Sequence, residues 1–186
     1  MDYAEHASAL WFFVLFAEDH PEYRHHVLGP NGLSLVISRL QGLIPVSGQT
    51  QTSPTAWRTF QSLCGPLAGA AYFVWAVPTL LAVDSCNILL QLLVYVASIH
   101  RLLFGANHIY FSFHNQLGRQ NEWIDYRVIA ALRGLAVVGG DPGRRAVREA
   151  LTVDNVDILR GLRESSWKWD WVAVEVRRLI SEFLKE

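Results

Sequence analysis

Apolar side chains recur at helical spacing along most of this chain. The clearest run has intervals of four, three, four and three residues and consists of Ile124, Val128, Ala131, Leu135 and Val138. Such spacing places all five side chains on one face of an α-helix. Gly139 and Gly140 predict the end of this helix, because glycine readily adopts the left-handed conformation of a C-terminal cap.

Three further helices are predicted after this one. Asp141 is expected to cap a short helix with Pro142 at its first position, and Asp154 is expected to cap the next helix. Ser165 or Ser166 predicts the start of a last helix. The predicted buried positions of the three helices are, in order, Ala146, Val147 and Ala150; Val156, Leu159 and Leu162; and Val172, Val176, Leu179 and Phe183.

The N-terminal region shows the same pattern. Its first apolar stripe predicts a helix that ends near Glu18, Pro21 opens a short helix, and another helix is expected over 33–43. A loop is predicted over 45–55, where Ser, Thr, Gln and Gly accumulate. Because no strand-like alternation with turn dipeptides occurs anywhere, the predicted fold class is all-α.

The middle of the chain is almost free of charge, which predicts apolar central helices over 59–104. The only charged side chains in this range are Asp84 and Arg101. Two interpretations are open: helices buried among neighbouring helices, or a membrane hairpin with Asp84 at its turn, since the uncharged run 59–83 is long enough to span a bilayer. The polar residues within the range and the interruption by Pro78 favour the first interpretation.

No sequence motif indicates catalysis, and we expect no enzyme, no metal and no cofactor. The phosphate-binding glycine motifs and the nucleophile elbow of hydrolases are absent. Cys64 and Cys86 lie in apolar stretches without adjacent charges. His20, His25 and His26 form one cluster, which does not complete a coordination sphere. A net charge of −1 and the absence of a purely basic patch argue against nucleic acid.

Two distant parts of the chain correspond to each other. At an offset of 120 to 122 residues, Ala9-Leu10, His20-Pro21, Arg24, Val27 and Leu40 match Ala131-Leu132, Asp141-Pro142, Arg145, Val147 and Leu162. This offset is close to three units of roughly 40 residues, which is the period of armadillo and HEAT repeats. A second match has an offset of 45 and relates Asp125-Tyr126 and Arg133 to Asp170-Trp171 and Arg178.

On this order of helices, residues 3–43 and 121–186 resemble the three-helix armadillo repeat. The best-matching stretch runs from Ala131-Leu132-Arg133-Gly134-Leu135 to Leu159-Arg160-Gly161-Leu162. The resemblance implies an armadillo-like, right-handed α-solenoid of three to four units in one domain over 1–186, with an irregular middle where Pro66 and Pro78 break the register. It also implies a protein-interaction scaffold. Acidic residues, and not basic ones, precede the first apolar run, so no signal peptide is indicated and a cytoplasmic protein is expected, or a membrane protein under the hairpin interpretation.

The 45-residue offset predicts a binding surface along successive long helices. The residues assigned to it are Tyr126, Arg133, Trp171, Glu175 and Arg178. Aromatic and Arg side chains dominate interface hot spots, and Arg pairs with carboxylates, so the expected partner is an acidic, partly apolar protein or peptide. The alternative is that Tyr126 and Trp171 pack at the edge of the core. The last helix runs almost to Glu186 without a polar capping unit, which suits a fragment or a homodimer.

Overall fold

The computed structural model describes residues 3–23, 31–44, 54–104 and 116–151, together with residues 156, 174, 177–179 and 181. Helices joined by short turns make up this part of the chain, which contains no strand, and the all-α prediction is thereby confirmed. The helices are α1 (Tyr3–Asp19), a 3-10 helix (Pro21–Tyr23), α2 (Gly32–Leu43), α3 (Pro54–Ala70), α4 (Val77–Ala82), α5 (Ser85–Phe104), α6 (Gln116–Val138) and α7 (Gly140–Ala150).

The predicted N-terminal helices form close to their expected bounds. Helix α1 ends at Asp19, one residue after the expected end, and α2 covers the predicted range 33–43 with one additional residue. Helix α2 buries four apolar residues at helical spacing, namely Leu33, Val36, Ile37 and Leu40. Residues 45–53 of the predicted loop lie outside the described residues, and Pro54 and Thr55 belong to α3.

The described middle of the chain, 54–104, consists of three helices separated by short turns. Helix α3 continues across Pro66, and Pro78 lies in the first turn of α4, where a missing backbone N–H costs no helical hydrogen bond. Asp84 separates α4 from α5 with a φ of 55°, a left-handed conformation that Asp tolerates better than most residues. Its carboxylate accepts hydrogen bonds from the Nδ2 amide of Asn87 at 2.8 and 2.9 Å, which fixes the start of α5.

The turn between α6 and α7 is shorter than predicted. Helix α6 ends at Val138 and Gly140 has a φ of +59°, which confirms the glycine stop. The prediction that Asp141 caps α7 is wrong, because α7 begins at Gly140 and has Gly139 at its N-cap without a side-chain hydrogen bond. Asp141 instead accepts a hydrogen bond of 2.6 Å from Arg144 within the first turn of α7. Of the predicted buried positions on α7, Val147 and Ala150 are buried and Ala146 is half-buried.

The helices occur in successive groups of three elements. The first group consists of α1, the 3-10 helix and α2, the second of α3, α4 and α5, and the third begins with α6 and α7. We call α1, α3 and α6 the first helices. Every short second element carries a proline near its start, namely Pro21, Pro78 and Pro142. The spacing of these prolines exceeds the roughly 40 residues of an armadillo repeat.

Corresponding elements of neighbouring groups pack against each other. The first helix α3 lies between α1 and α6 and contacts both, the short helices α4 and α7 contact each other, and so do the third helices α2 and α5. Among the described residues, the well-packed helix pairs do not join the first group to the third.

Helices α3 and α6 run in the same direction in a fixed register. The guanidinium of Arg127 covers Gly65, a Cβ on Gly134 would lie 2.9 Å from the backbone oxygen of Ala71, and one on Gly139 would lie 3.1 Å from Cγ1 of Val77. The two members of each pair are separated by nearly the same length of chain. This constant offset shows that residues 65–77 lie alongside 127–139.

Candidate binding surface

The stripe of α6 that was predicted to bind a partner is only partly accessible. Tyr126 and Arg133 are half-buried, and Ala130 between them is buried. On the predicted apolar stripe, by contrast, Ile124, Val128, Ala131 and Leu135 are fully buried. Tyr126 and Arg133 are thus less buried than the apolar face of the same helix.

The other predicted binding residues belong to the last part of the chain. Arg178 is exposed on a helical segment in which its neighbour Leu179 is completely buried, as the predicted apolar stripe requires. Trp171 and Glu175 lie outside the described residues. The structure therefore brings together Tyr126 and Arg133, and it places Arg178 on a separate helical segment.

Tyr126 contributes to the core as well as to the surface. Its ring is half-buried and packs against the continuous apolar core, as the alternative interpretation of this residue expected. The neighbouring Arg127 was not predicted to have a structural role, yet its guanidinium lies over Gly65 of α3. Gly65 has no side chain and therefore leaves room for this guanidinium. The contact could not be predicted from a local sequence pattern, because the glycine and the arginine are far apart in the chain.

Both thiols, Cys64 and Cys86, are free and belong to the buried core. Burial raises the pKa of Cys64 to about 12, although the positive charge of Arg127 acts in the opposite direction. Burial also raises the pKa of Cys86 to about 12, assisted by the negative charge of Asp84. Since the thiolate is the reactive form, neither group is activated for attack at neutral pH.

The histidine cluster is described only in part. His20 packs against Phe16 with ring centroids 4.5 Å apart, and its Nδ1 lies 3.7 Å from the carboxylate of Glu22. His25 and His26 lie outside the described residues. Within the described part of the chain, no three His, Cys, Asp or Glu side chains are grouped so that they could hold a metal ion.

A second exposed region lies where the first helices end and the short helices begin, and we call it the short-helix edge. Each group contributes an exposed apolar side chain to it: Tyr23 in the first group, Tyr72 and Val74 in the second, and Val137 in the third. The indole Nε1 of Trp75 donates a hydrogen bond of 2.6 Å to the carboxylate of Glu18, which joins the first two groups at this edge. The packing of α4 against α7 joins the second to the third.

The long uncharged run in the middle of the sequence is not one continuous helix. It is divided between α3 and α4 by the turn at 71–76, and Asp84 follows α4. None of the described helices combines the length and the apolar character needed to cross a membrane.

Comparison with known proteins finds no matching family model, no matching curated protein and no matching solved structure. The argument for function therefore rests on the packing and chemistry of this chain itself.

Proposed function

We propose that this chain is an armadillo-like, right-handed α-solenoid that acts as a protein-interaction scaffold and not as an enzyme. The observation that carries the proposal is that helices with the same position in neighbouring groups pack against each other. First helices contact first helices, the short helix α4 contacts the short helix α7, and the third helix α2 contacts the third helix α5. In solenoids, each repeat contacts only its neighbours, and the stacked helices create an extended surface for binding.

The row of first helices supplies the proposed binding surface. Its residues are Tyr126 and Arg133 on α6, with Trp171, Glu175 and Arg178, which the sequence predicts to lie on the last helix. A half-buried tyrosine offers a rigid apolar contact that loses little conformational entropy on binding, and a guanidinium pairs with a carboxylate through two hydrogen bonds. The partner is an acidic, partly apolar segment of a protein, bound in extended form across the first helices.

Capture of partners by the purified full-length chain tests this function. The variant Trp171→Ala with Arg178→Glu is expected to lose captured proteins that the native chain retains. Its stability should change by no more than about 1 kcal/mol, as is usual for surface substitutions. Gln91→Glu is a control, because Gln91 is exposed on α5, which is a third helix and not a first helix. The control should retain the same proteins.

Two results would contradict the proposal. If the double variant captures the same proteins as the native chain, the row of first helices is not the binding surface. If its unfolding midpoint falls sharply instead, Trp171 and Arg178 hold the fold together and are not available to a partner. Circular dichroism during heating distinguishes this second result from a true loss of binding.

A further inference from the structure

The charge of the short-helix edge differs between the first group and the third group. At the first group, Glu18, Asp19 and Glu22 are exposed, and the described side chains of α1 and the 3-10 helix include no Arg or Lys. The third group presents three exposed guanidiniums on α7, those of Arg144, Arg145 and Arg148, against the carboxylates of Asp141 and Glu149. Among the described residues, the edge is therefore acidic at one end and has a basic excess at the other.

The middle of the edge is uncharged and apolar. No Asp, Glu, Lys or Arg occurs between residues 71 and 83. Within this segment Val74 is 77% exposed and Tyr72 is 43% exposed, whereas Phe73 and Trp75 turn inward, stack on each other and pack against the core. The inward pair holds the turn in place, so the two outward side chains project from a supported backbone.

From this distribution we infer that the short-helix edge binds the same edge of a second copy of the chain, related by a two-fold axis through the middle group. In that arrangement the apolar turn meets its own copy, and the acidic first group of each chain faces the basic third group of the other. A two-fold contact is isologous and requires a self-complementary surface, which an acidic, apolar and basic sequence provides. The reverse orientation, with like groups opposed, would place carboxylates against carboxylates.

The order of the groups supports the position of the axis. The short elements begin at Pro21, Pro78 and Pro142 in turn, so the turn at 71–76 and α4 lie between the two charged ends. The short elements also contact each other from the second group to the third, which makes the edge continuous there. A second copy supplies both charge types, one on each side of the apolar centre.

This dimer uses the short-helix edge, and it is independent of the scaffold function proposed for the row of first helices. The variant Trp171→Ala with Arg178→Glu should therefore dimerise as the native chain does. A failure of partner capture and a failure of dimerisation are distinguishable results.

Sedimentation of the full-length chain over a concentration series provides the first test. The native chain is expected to approach a dimer mass. Glu22→Arg alone and Arg145→Glu alone should each weaken the dimer about tenfold, because each leaves like charges opposed at both ends. The chain that carries both substitutions restores opposite charges at both ends and should dimerise nearly as well as the native chain. A monomer at every concentration, or a double variant weaker than either single variant, would overturn the proposal.

A cysteine placed on the axis tests the orientation. Both native thiols are buried, so Val74→Cys introduces an accessible thiol at a position where a side chain is tolerated. Mild oxidation should link two copies through this residue. Leu35→Cys is the matched control, since Leu35 is 67% exposed but lies on α2, and it should give no efficient link. Equal linking of both variants, or none through Val74→Cys, would show that the turn is not on a two-fold axis.

Discussion

Helices α6 and α1 are both first helices of their groups, yet their environments differ. Every described residue of α6 from 124 to 136 is buried or half-buried, whereas the described residues of α1 bury only Val14 and Ala17. Helix α1 exposes Phe12, Phe13 and Leu15, and Phe12 stacks on the neighbouring Phe16. The same position in a group is thus interior in one case and peripheral in the other.

The difference shows that the number of helices around a segment decides whether its apolar side chains are buried. Helix α6 lies against α3, α4, α5 and α7, and it approaches α3 closely through Gly134. Helix α1 has α3 on one side, to which Glu18 is tied through the turn at 71–76. An equally apolar sequence therefore contributes more to stability in α6 than in α1.

The largest difference in stability is expected when a leucine of α6 and a leucine of α1 are each replaced by aspartate. Leu135→Asp places a carboxylate at a completely buried position and is expected to cost several kcal/mol, enough to unfold the C-terminal groups. Leu15→Asp, at a position 39% exposed, should change stability by about 1 kcal/mol or less. Chemical denaturation of both variants measures the contrast. Similar losses would show that α1 is as deeply packed as α6.

A smaller contrast is expected between two helical glycines. A Cβ on Gly134 would meet the carbonyl oxygen of Ala71 at 2.9 Å, so Gly134→Ala must push the first helices apart and should cost about 1–3 kcal/mol. Gly42 in α2 has open space around it, and Gly42→Ala should stabilise the chain by up to about 1 kcal/mol. Thermal denaturation provides the measurement. A neutral Gly134→Ala would indicate that α3 and α6 are not in close contact.

The hydrogen bond between Trp75 and Glu18, which links the first and second groups, should contribute modestly to the stability of the fold. Trp75→Phe removes the indole donor to Glu18 while retaining most of the packing, and it is expected to cost about 1 kcal/mol. A double-mutant cycle with Glu18→Ala, which removes the acceptor, isolates the interaction, because a hydrogen-bonded pair gives a coupling energy that independent residues do not. Strict additivity would mean that the bond does not form in solution.

The smallest expected effect is a change in the pKa of Asp141, in the first turn of α7. The hydrogen bond and charge of Arg144 lower the pKa of Asp141 below its ordinary 3.8. A lowered pKa in the folded state means that the stabilisation is present above pH 3.8 and is lost as the pH falls through the folded-state value. Arg144→Gln should raise the pKa of Asp141 towards 3.8, as measured by NMR titration of the carboxyl group. An unchanged pKa would show that the pair is not maintained in water.

Much of the secondary structure could be predicted from the spacing of apolar residues and the positions of glycines in the sequence. Apolar spacing predicted the α2 and α6 faces, and the glycine pair predicted the end of α6, because both depend on residues within one or two helical turns. The Asp141 cap was predicted wrongly, since α7 begins two residues earlier, at Gly140 instead of Pro142. Pro78 looked like an interruption and proved to be the start of a short helix, equivalent to Pro21 and Pro142.

By itself, the sequence determined that the chain is helical and which face of each well-patterned helix is apolar. Only the tertiary structure decided which of those faces are covered. Arg127 over Gly65 and Gly134 against Ala71 join residues that are far apart in the chain, and no local periodicity reports such a pairing. The exposure of Val74 beside the inward Trp75 was likewise decided by packing, because burial depends on which helices surround a side chain and not on its own hydrophobicity.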